Sequence, residues 1–223
     1  MKFLLFDLDN TLIPSDEAYL AALSTVGVAQ GDEGRFQDAR ALVKAALPKG
    51  HVAARNRLLY FKAMLKSEKP FSASKILDLM TSYEAALESF LQEWVKASGR
   101  IAVVERLLGF ADGCILTNEN LRTQLIKVRA LGTAGQKFQG MVTSEEVGYE
   151  KPRLQIFQHA LRTFNLDPAE VIMVGDDLEN DILPALKLGM TCVLTEEFIK
   201  TSAHVPDGVL RISHLSELES LLK

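Results

Sequence analysis

The sequence predicts an α/β fold in which a doubly wound, Rossmann-like parallel sheet carries an inserted all-helical domain. Short apolar runs, each about as long as a buried strand, alternate with segments of helical periodicity, which is the pattern of βαβ units. One long helical stretch interrupts this alternation after the first run. Alternation of this kind favours parallel strands joined by right-handed crossovers. With 223 residues, the chain is long enough for one domain with a large insertion.

The first predicted strand is the apolar run Phe3–Phe6, which ends directly before Asp7 and Asp9. Apolar runs without alternation are typical of strands that are covered on both faces of a parallel sheet. Beyond Pro14, Ser15 is a candidate N-cap, and the acids that follow it suit the first turn of a helix. We therefore expect the first helix to begin here.

Helical periodicity then continues to about Ser98 without a run of β-branched residues. Breaks between helices are expected at Gly27 and where Gly or Pro interrupts the pattern, at 48–50 and 69–70. The predicted domains are a Rossmann-like core of residues 1–14 and 99–223 and a helical cap of residues 15–98.

Further apolar runs follow the insertion, and each is expected to be a buried strand. They lie at 114–116, 140–143, 171–174 and 191–194, with one more candidate at 209–212. The segments between them have helical periodicity, so the doubly wound pattern continues to the end of the chain.

Composition excludes several classes of protein. Hydrophobic residues make up 48% of the chain and charged residues 24%, and the formal charge is -4. We find no basic stripe of the kind that nucleic acids or anionic membranes require. No apolar run approaches the ~20 residues of a membrane-spanning helix, and no secretory signal is recognisable. Cys114 and Cys192 fall in predicted strands and are expected to be buried free thiols, so the expected location is cytoplasmic.

The two acids after the first strand, Asp7 and Asp9, have two interpretations. Burying two neighbouring carboxylates is unfavourable unless a cation or a proton compensates them, which points to a metal site. The segment that continues with Asn10 and Thr11 is also typical of a turn or a helix cap. On this segment alone, both interpretations stay open.

Polar residues follow several of the predicted strands, and the carboxyl ends of parallel strands share one edge of the sheet. Each residue alone has a simple explanation, such as a helix cap, a loop lysine or a tight turn. Their joint occurrence at strand ends is harder to explain by turns. The set consists of Asp7 and Asp9, Thr117 and Asn118, Lys151, and Asp176, Asp177 and Asp181.

Phosphoryl transfer is the chemistry that such a set suits. Oxygen ligands from Asp7 and Asp176 favour Mg²⁺, a hard cation that also binds substrate phosphate. With the metal and Lys151 nearby, Asp7 can stay ionised and act as the nucleophile that forms an aspartyl-phosphate. Asp9 can then donate a proton to the leaving oxygen and later accept one from water. In this hypothesis, Thr117, Asn118 and Lys151 bind the phosphate.

These segments resemble the four motifs of the haloacid dehalogenase-like hydrolase superfamily, in its phosphatase branch with a helical cap after the first strand. The motifs are Asp7-Leu8-Asp9-Asn10-Thr11, Thr117-Asn118, Lys151-Pro152 and the segment 175–181, and the likeness extends from Phe138 to Leu194. The resemblance implies Asp7 as nucleophile and Asp9 as acid and base. It also implies Mg²⁺ bound by Asp7, the Asp9 carbonyl and Asp176, with Asp181 as an indirect or water-mediated ligand.

Two residues depart from the family pattern. Glu119 stands where a glycine is common, and we expect it to point to solvent; the alternative is that it disfavours highly anionic substrates. Pro184 stands where relatives often carry glycine, early in a predicted helix, where it should change packing rather than chemistry.

The motifs leave other activities open. A phosphomutase would use the same residues, whereas dehalogenases and phosphonatases of this fold lack an acid at the position of Asp9; a binding module without turnover is a further alternative. We expect the charged residues of the cap segment 49–66 to form a solvated helix face; the alternative is that Arg or Lys there recognises a second anionic group or a sugar. These residues are His51, Arg55, Arg57, Lys62 and Lys66. The cap sequence resembles caps of sugar-phosphate and nucleotide phosphatases, which implies a small phosphorylated metabolite, such as a nucleotide or a sugar phosphate, as substrate.

Overall fold

The computed structural model describes residues 2–26, 33–66 and 70–223, and its strands form one sheet. The strands are β1 (Phe3–Phe6), β2 (Gly113–Thr117), β3 (Gly140–Thr143), β4 (Val171–Gly175), β5 (Thr191–Thr195) and β6 (Leu210–Ile212). Their order is β3-β2-β1-β4-β5-β6, and every neighbouring pair is parallel. The predicted doubly wound parallel sheet is confirmed.

The helices lie between these strands, with the longest run of helices after β1. They are α1 (Ser15–Thr25), α2 (Glu33–Ala46), α3 (Arg57–Met64), α4 (Ala73–Ser98), α5 (Arg100–Phe110), α6 (Leu121–Ala130), α7 (Ser144–Val147), α8 (Leu154–Thr163), α9 (Leu183–Lys187) and α10 (Leu218–Leu222). Among the described residues, none of these helices combines the length and the apolar character needed to cross a membrane.

The predicted insertion coincides with helices α1 to α4, and the described residues between 15 and 98 contain no strand. Helix α4 ends at Ser98 because Gly99 adopts a left-handed backbone conformation (φ 68°) that suits a helix terminus. Gly27 and Lys69, where helix breaks were expected, lie outside the described residues. The division into a core and a cap stays a prediction.

Apolar side chains cover both faces of the sheet. Along β1, Leu4 and Phe6 belong to one buried cluster and Phe3 and Leu5 to the other, as the alternation of a strand requires. The two cysteines are buried free thiols, as expected. Because β1 lies between β2 and β4 in this covered sheet, the residues that follow it are held at the middle of the carboxyl edge.

Aromatic residues hold the inserted helices together. Phe36 of α2 contacts Tyr60 and Phe61 of α3, with ring centroids 5.7 Å apart in each pair, and Phe61 contacts Tyr83 of α4 at 5.8 Å. Such aromatic pairs each contribute about 0.5 to 1.5 kcal/mol beyond the area that they bury. The three helices therefore pack as one unit beside α1.

Helix α1 begins differently from the prediction. Its N-cap is Pro14, and Ser15 is the first helical residue, so the expected cap by Ser15 is wrong. The buried Ser15 hydroxyl instead donates a hydrogen bond to Asp9. Asn10, which precedes this turn, has a positive φ of 56° and accepts from the amide of Asp16 with its side chain (3.2 Å). The segment therefore forms a turn, as one of the two interpretations expected, and the chain leaves the sheet at this turn.

Candidate active site

The carboxyl edge of the sheet brings together the residues that the sequence singled out. Asp7 follows β1, and its amide still donates to the carbonyl of Val174 on β4 at 2.9 Å. Thr117 ends β2, and Lys151 lies between α7 and α8. One cavity of about 530 Å³ lies at this edge, and most of the predicted residues line it: Asp7, Asp9, Asn118, Lys151, Asp176, Asp177 and Asp181.

Lys151 is the cation at the centre of the site. Its Nζ donates to Oδ1 of Asp7 and to Oδ1 of Asp181, both at 2.6 Å, and to the carbonyl of Leu116 at 3.0 Å. The side chain is 3% exposed. Burial would lower the pKa of Lys151, but the two carboxylates outweigh burial and raise it. Lys151 therefore stays charged.

Three carboxylates surround this ammonium group. Oxygen atoms of Asp7, Asp176 and Asp181 lie within 4.8 Å of one another. Burial raises the pKa of Asp7 to about 7 and, with repulsion from Asp7 and Asp181, raises the pKa of Asp176 to about 9. One lysine does not compensate three carboxylates, and their donor atoms are all oxygens. The group therefore fits a hard divalent cation.

Local backbone features place the acids after β4. Asp181 lies in a turn of π-helix (Leu178–Ile182), and its Oδ2 accepts from the amide of Asp177 at 3.2 Å. A Cβ atom at Gly175 would collide with the Asp181 carboxylate, so only glycine fits there. Thr11 donates to Oδ1 of Asp176 at 3.2 Å, which connects these acids to the turn after β1.

Asp9 lies in a separate polar cluster beside the three carboxylates. Its Oδ1 accepts from Nζ of Lys127 and from the hydroxyl of Ser15, and its Oδ2 accepts from Nε2 of Gln124 at 2.8 Å. Burial would raise the pKa of Asp9, but these donors, with Lys127 the strongest, hold it well below its ordinary value. The Asp9 carboxylate is not among the three grouped acids, and its carbonyl as a metal ligand stays a prediction.

The second motif carries one hydroxyl and one amide that have different partners. Thr117 is fully buried, and its Oγ1 accepts from Nε2 of Gln124 at 2.5 Å. Asn118 bonds the backbone of Lys151 twice: its Nδ2 donates to the carbonyl at 2.8 Å and its Oδ1 accepts from the amide at 2.6 Å. Asn118 therefore holds the Lys151 segment in place. The helix that follows is capped by Asn120 rather than by Thr117 or Asn118.

The expectation that Glu119 points to solvent is wrong. Glu119 is buried and accepts from Nη1 of Arg57, the first residue of α3, at 2.8 Å. Arg55 similarly donates to Glu150 at 2.8 Å. The expected solvated face therefore holds for His51, Lys62 and Lys66, which are exposed, and not for the two paired arginines. Two arginines of the inserted segment bind the core beside the cavity.

Sequence reasoning missed the residues around Asp9. Gln124 and Lys127 are both fully buried on α6, although the periodicity of this segment indicates its leucines as the inner face. Their spacing places them on the same side of a helix, at successive turns from Asn120. That spacing was the available signal, but it does not reveal which group the face contacts.

Known proteins similar to this chain include hydrolases and phosphatases. A family model described as haloacid dehalogenase-like hydrolase matches residues 1–189. The chain is 32% identical over 201 residues to ribulose-1,5-bisphosphate 5-phosphatase of Halopiger xanaduensis, covering 85% of this chain and 82% of that protein. It is 26% identical over 230 residues to glyceraldehyde 3-phosphate phosphatase of Methanothermobacter thermautotrophicus, covering 99% and 98%.

Solved structures share the fold. The HAD-hydrolase YfnB from Bacillus subtilis, bound to magnesium, superimposes with a TM-score of 0.69 at 22% identity, covering 99% of this chain and 98% of that one. A 2-haloacid dehalogenase from Pseudomonas syringae gives 0.70 at 24% identity, covering 100% and 98%. Because the sequence identities are this low, these two similarities establish the fold of the chain and not its activity.

Proposed function

Because the chain belongs to the haloacid dehalogenase-like hydrolase family, we propose that it is a phosphatase, which hydrolyses small organic phosphate monoesters through an aspartyl-phosphate on Asp7. The observation that carries this proposal is the contact of Asp7 with the buried ammonium group of Lys151, beside Asp176 and Asp181. Such a contact holds a carboxylate where an anionic substrate meets both a nucleophile and positive charge.

Enzymes of this family use a divalent metal, and we propose Mg²⁺ for this chain. Carboxylate oxygens of Asp7, Asp176 and Asp181 are the candidate donors, together with the carbonyl of Asp9. When bound, Mg²⁺ compensates negative charge on the carboxylates and on the substrate phosphate.

The proposed reaction has two halves. A carboxylate oxygen of Asp7 attacks phosphorus, the bond to the ester oxygen breaks, and Asp9 gives that oxygen a proton. Water then attacks the phosphoryl group on Asp7, its proton passes to Asp9, and phosphate leaves. The proton that Asp9 takes from water is the one that it gives to the ester oxygen of the next substrate. The contact with Lys127 favours the ionised Asp9, which is the form left after that donation and the form that accepts a proton from water.

Two side chains are proposed to hold the phosphate during both halves. Thr117 accepts from Gln124, so the proton of its hydroxyl is free to be donated to a phosphate oxygen. Lys151 supplies positive charge beside Asp7. Asn118 supports this arrangement because both of its side-chain groups bind the Lys151 backbone.

The presence of Asp9 favours a phosphatase over a dehalogenase, since carbon–halogen cleavage needs no proton on the leaving group. A phosphomutase stays as the alternative, because its chemistry would use the same residues. The two are separated by the product, which is free phosphate for the phosphatase and an isomeric phosphate ester for the mutase.

We propose a small phosphorylated metabolite as substrate. The cavity of about 530 Å³ is within the range that holds small molecules. The relatives named above act on sugar phosphates. In the cavity wall formed by α2, Arg40 and Lys44 have no carboxylate partner among the described residues, so this wall would favour polar or anionic groups of the substrate.

The test is release of inorganic phosphate from a chromogenic phosphate ester and from a panel of phosphorylated metabolites. We expect turnover that requires Mg²⁺ and is lost in Asp7→Asn by at least about a thousandfold. Asp78→Asn, which changes an exposed carboxylate on α4, is the matched control and should behave like the wild type. Turnover that survives chelation, or that persists in Asp7→Asn, contradicts the proposal.

A further inference from the structure

The buried lysine of α6 has an unusual set of partners. Lys127 is 0% exposed, and its Nζ donates to Oδ1 of Asp9 and to the hydroxyl of Tyr19. The ammonium also lies 4.5 Å from the centre of the Tyr19 ring. In the described part of the chain, Asp9 is the only carboxylate that forms an ion pair with Lys127.

The ion pair between Lys127 and Asp9 is not explained by a contribution to stability. Two charges that leave water lose their hydration, and their mutual attraction often only offsets this cost. Apolar residues of similar size therefore often stabilise a protein equally well. A lysine at this place on α6 therefore needs another explanation. Its one carboxylate partner is the proposed acid and base of the reaction, which indicates a role in the chemistry.

Gln124 extends the same contact to the second motif. Its Nε2 donates both to Oδ2 of Asp9 at 2.8 Å and to Oγ1 of Thr117 at 2.5 Å. Lys127 follows Gln124 by three residues, so both side chains leave α6 on one face. One helix thus contacts both oxygens of Asp9, which prevents rotation of the carboxylate about its χ2 bond.

We propose that Lys127 is a positioning residue for Asp9 and that Gln124 connects this support to Thr117. The inference rests on the proposed function, in which Asp9 transfers protons at the ester oxygen. Lys127 does not itself line the cavity, and its ion-pair partner among the described residues is Asp9 rather than one of the three grouped carboxylates, so it acts on the reaction through Asp9. Its effect should therefore depend on how much a substrate needs a proton on its leaving group.

The inserted segment takes part in this support. Tyr19 of α1 accepts from Lys127 on one side, and its ring lies 4.1 Å from the guanidinium of Arg57 on α3. Arg57 in turn pairs with Glu119 of the core. The orientation of Asp9 is therefore complete only when α1 and α3 are packed against the edge of the sheet.

The test compares kcat/KM of Lys127→Met with wild type on phosphate esters of differing leaving groups. An alkyl phosphate needs a proton on its departing oxygen, whereas 2,4-dinitrophenyl phosphate does not. We expect a loss of about a hundredfold on the alkyl ester and within about threefold on the dinitrophenyl ester. Lys137→Met, which changes a half-exposed lysine far from Asp9, should alter neither value.

Two further variants keep the test decisive. In an Asp9→Asn background, Lys127→Met should add no further loss on the alkyl ester, because both changes remove the same step. Tyr19→Phe removes one hydroxyl and should show the same leaving-group dependence if Lys127→Met fails to fold. Equal losses on both esters, no loss, or additive losses in the double variant overturn the proposal. Absence of Asp7-dependent turnover in the wild type would instead reject the proposed function.

Discussion

At the scale of single residues, the site depends on how buried charges are paired. Lys151 forms ion pairs with two of three clustered carboxylates, whereas Lys127 forms an ion pair with one carboxylate of the described residues, Asp9. The first cluster carries excess negative charge and the second is balanced. Burial raises the pKa values of Asp7 and Asp176, and repulsion between the carboxylates adds to this, whereas at Asp9 the contacts with Lys127 and the other donors outweigh burial and lower the pKa.

The raised pKa values predict how Mg²⁺ and pH act together on stability. An unfolded aspartate has a pKa of about 4, against about 7 for Asp7 and about 9 for Asp176 in the folded, metal-free protein. The folded state binds more protons, so the stability from these groups is complete below about pH 4 and is lost as pH rises through 7 and 9. Mg²⁺ replaces those protons.

We therefore expect the increase in Tm caused by Mg²⁺ to be larger at about pH 9 than at about pH 6. The measurement is thermal unfolding with and without Mg²⁺ across that range. In Asp176→Asn the difference between the two pH values should shrink, whereas Asp78→Asn should leave it unchanged. A Mg²⁺ effect that is equal at both pH values, or larger at the lower one, would contradict the assignment of the metal group.

Motif spacing made some residues predictable and not others. Asp7 and Lys151 could be expected to lie close together because parallel strands present their carboxyl ends at one edge. The pairing of Glu119 with Arg57 could not be expected, since the two residues are 62 positions apart and meet only through tertiary packing. Likewise, no local pattern indicates that Asn118 binds the backbone of Lys151.

At the scale of elements, the strands were predictable and the inner faces of helices were less so. Apolar runs bounded by turns predicted every strand, since a strand covered on both faces needs such a run. Helix α6 shows the limit: Leu121 and Leu125 are 39% and 53% exposed, whereas Gln124 and Lys127 are fully buried. Periodicity assigns apolar residues to the inner face of a helix. It does not indicate that the inner face of α6 contacts the carboxylate of Asp9, which polar side chains bind.

Helix α2 forms one wall of the cavity. Its residues Phe36, Gln37, Arg40 and Lys44 line the cavity, as their spacing on one helix face allows. Burial, with the nearby cations Arg40 and Arg55, lowers the pKa of Lys44. Arg55 itself is paired with Glu150, so α2 carries the positive charge that remains available to a substrate.

We expect the double variant Arg40→Gln, Lys44→Gln to raise KM about tenfold for a phosphate ester with a second anionic group. The matched neutral ester, such as 2-hydroxyethyl phosphate beside 2-phosphoglycolate, should be affected less than about twofold. Lys62→Gln, at an exposed position outside the cavity lining, is the control. Equal changes in KM for both esters would show that α2 does not discriminate between substrates by their charge.

At the scale of the whole molecule, the candidate active site lies where helices α1 to α4 meet the carboxyl edge of the sheet. The core supplies the acids and Lys151, and the insertion supplies Tyr19, Arg57 and the wall formed by α2. Contacts across this boundary reach Asp9 through Tyr19 and Lys127. Packing of helices α1 to α4 therefore shapes both the cavity and the orientation of Asp9, the proposed acid and base.

The most direct test of the account is to identify the residue that carries the phosphoryl group. The enzyme is quenched in acid during turnover, acyl phosphates are reduced with borohydride, and peptides are analysed by mass spectrometry. We predict homoserine in place of Asp7, found only when substrate was present and absent in Asp7→Asn. Reduction at another aspartate, or none at position 7 while phosphate is released, would contradict Asp7 as the nucleophile.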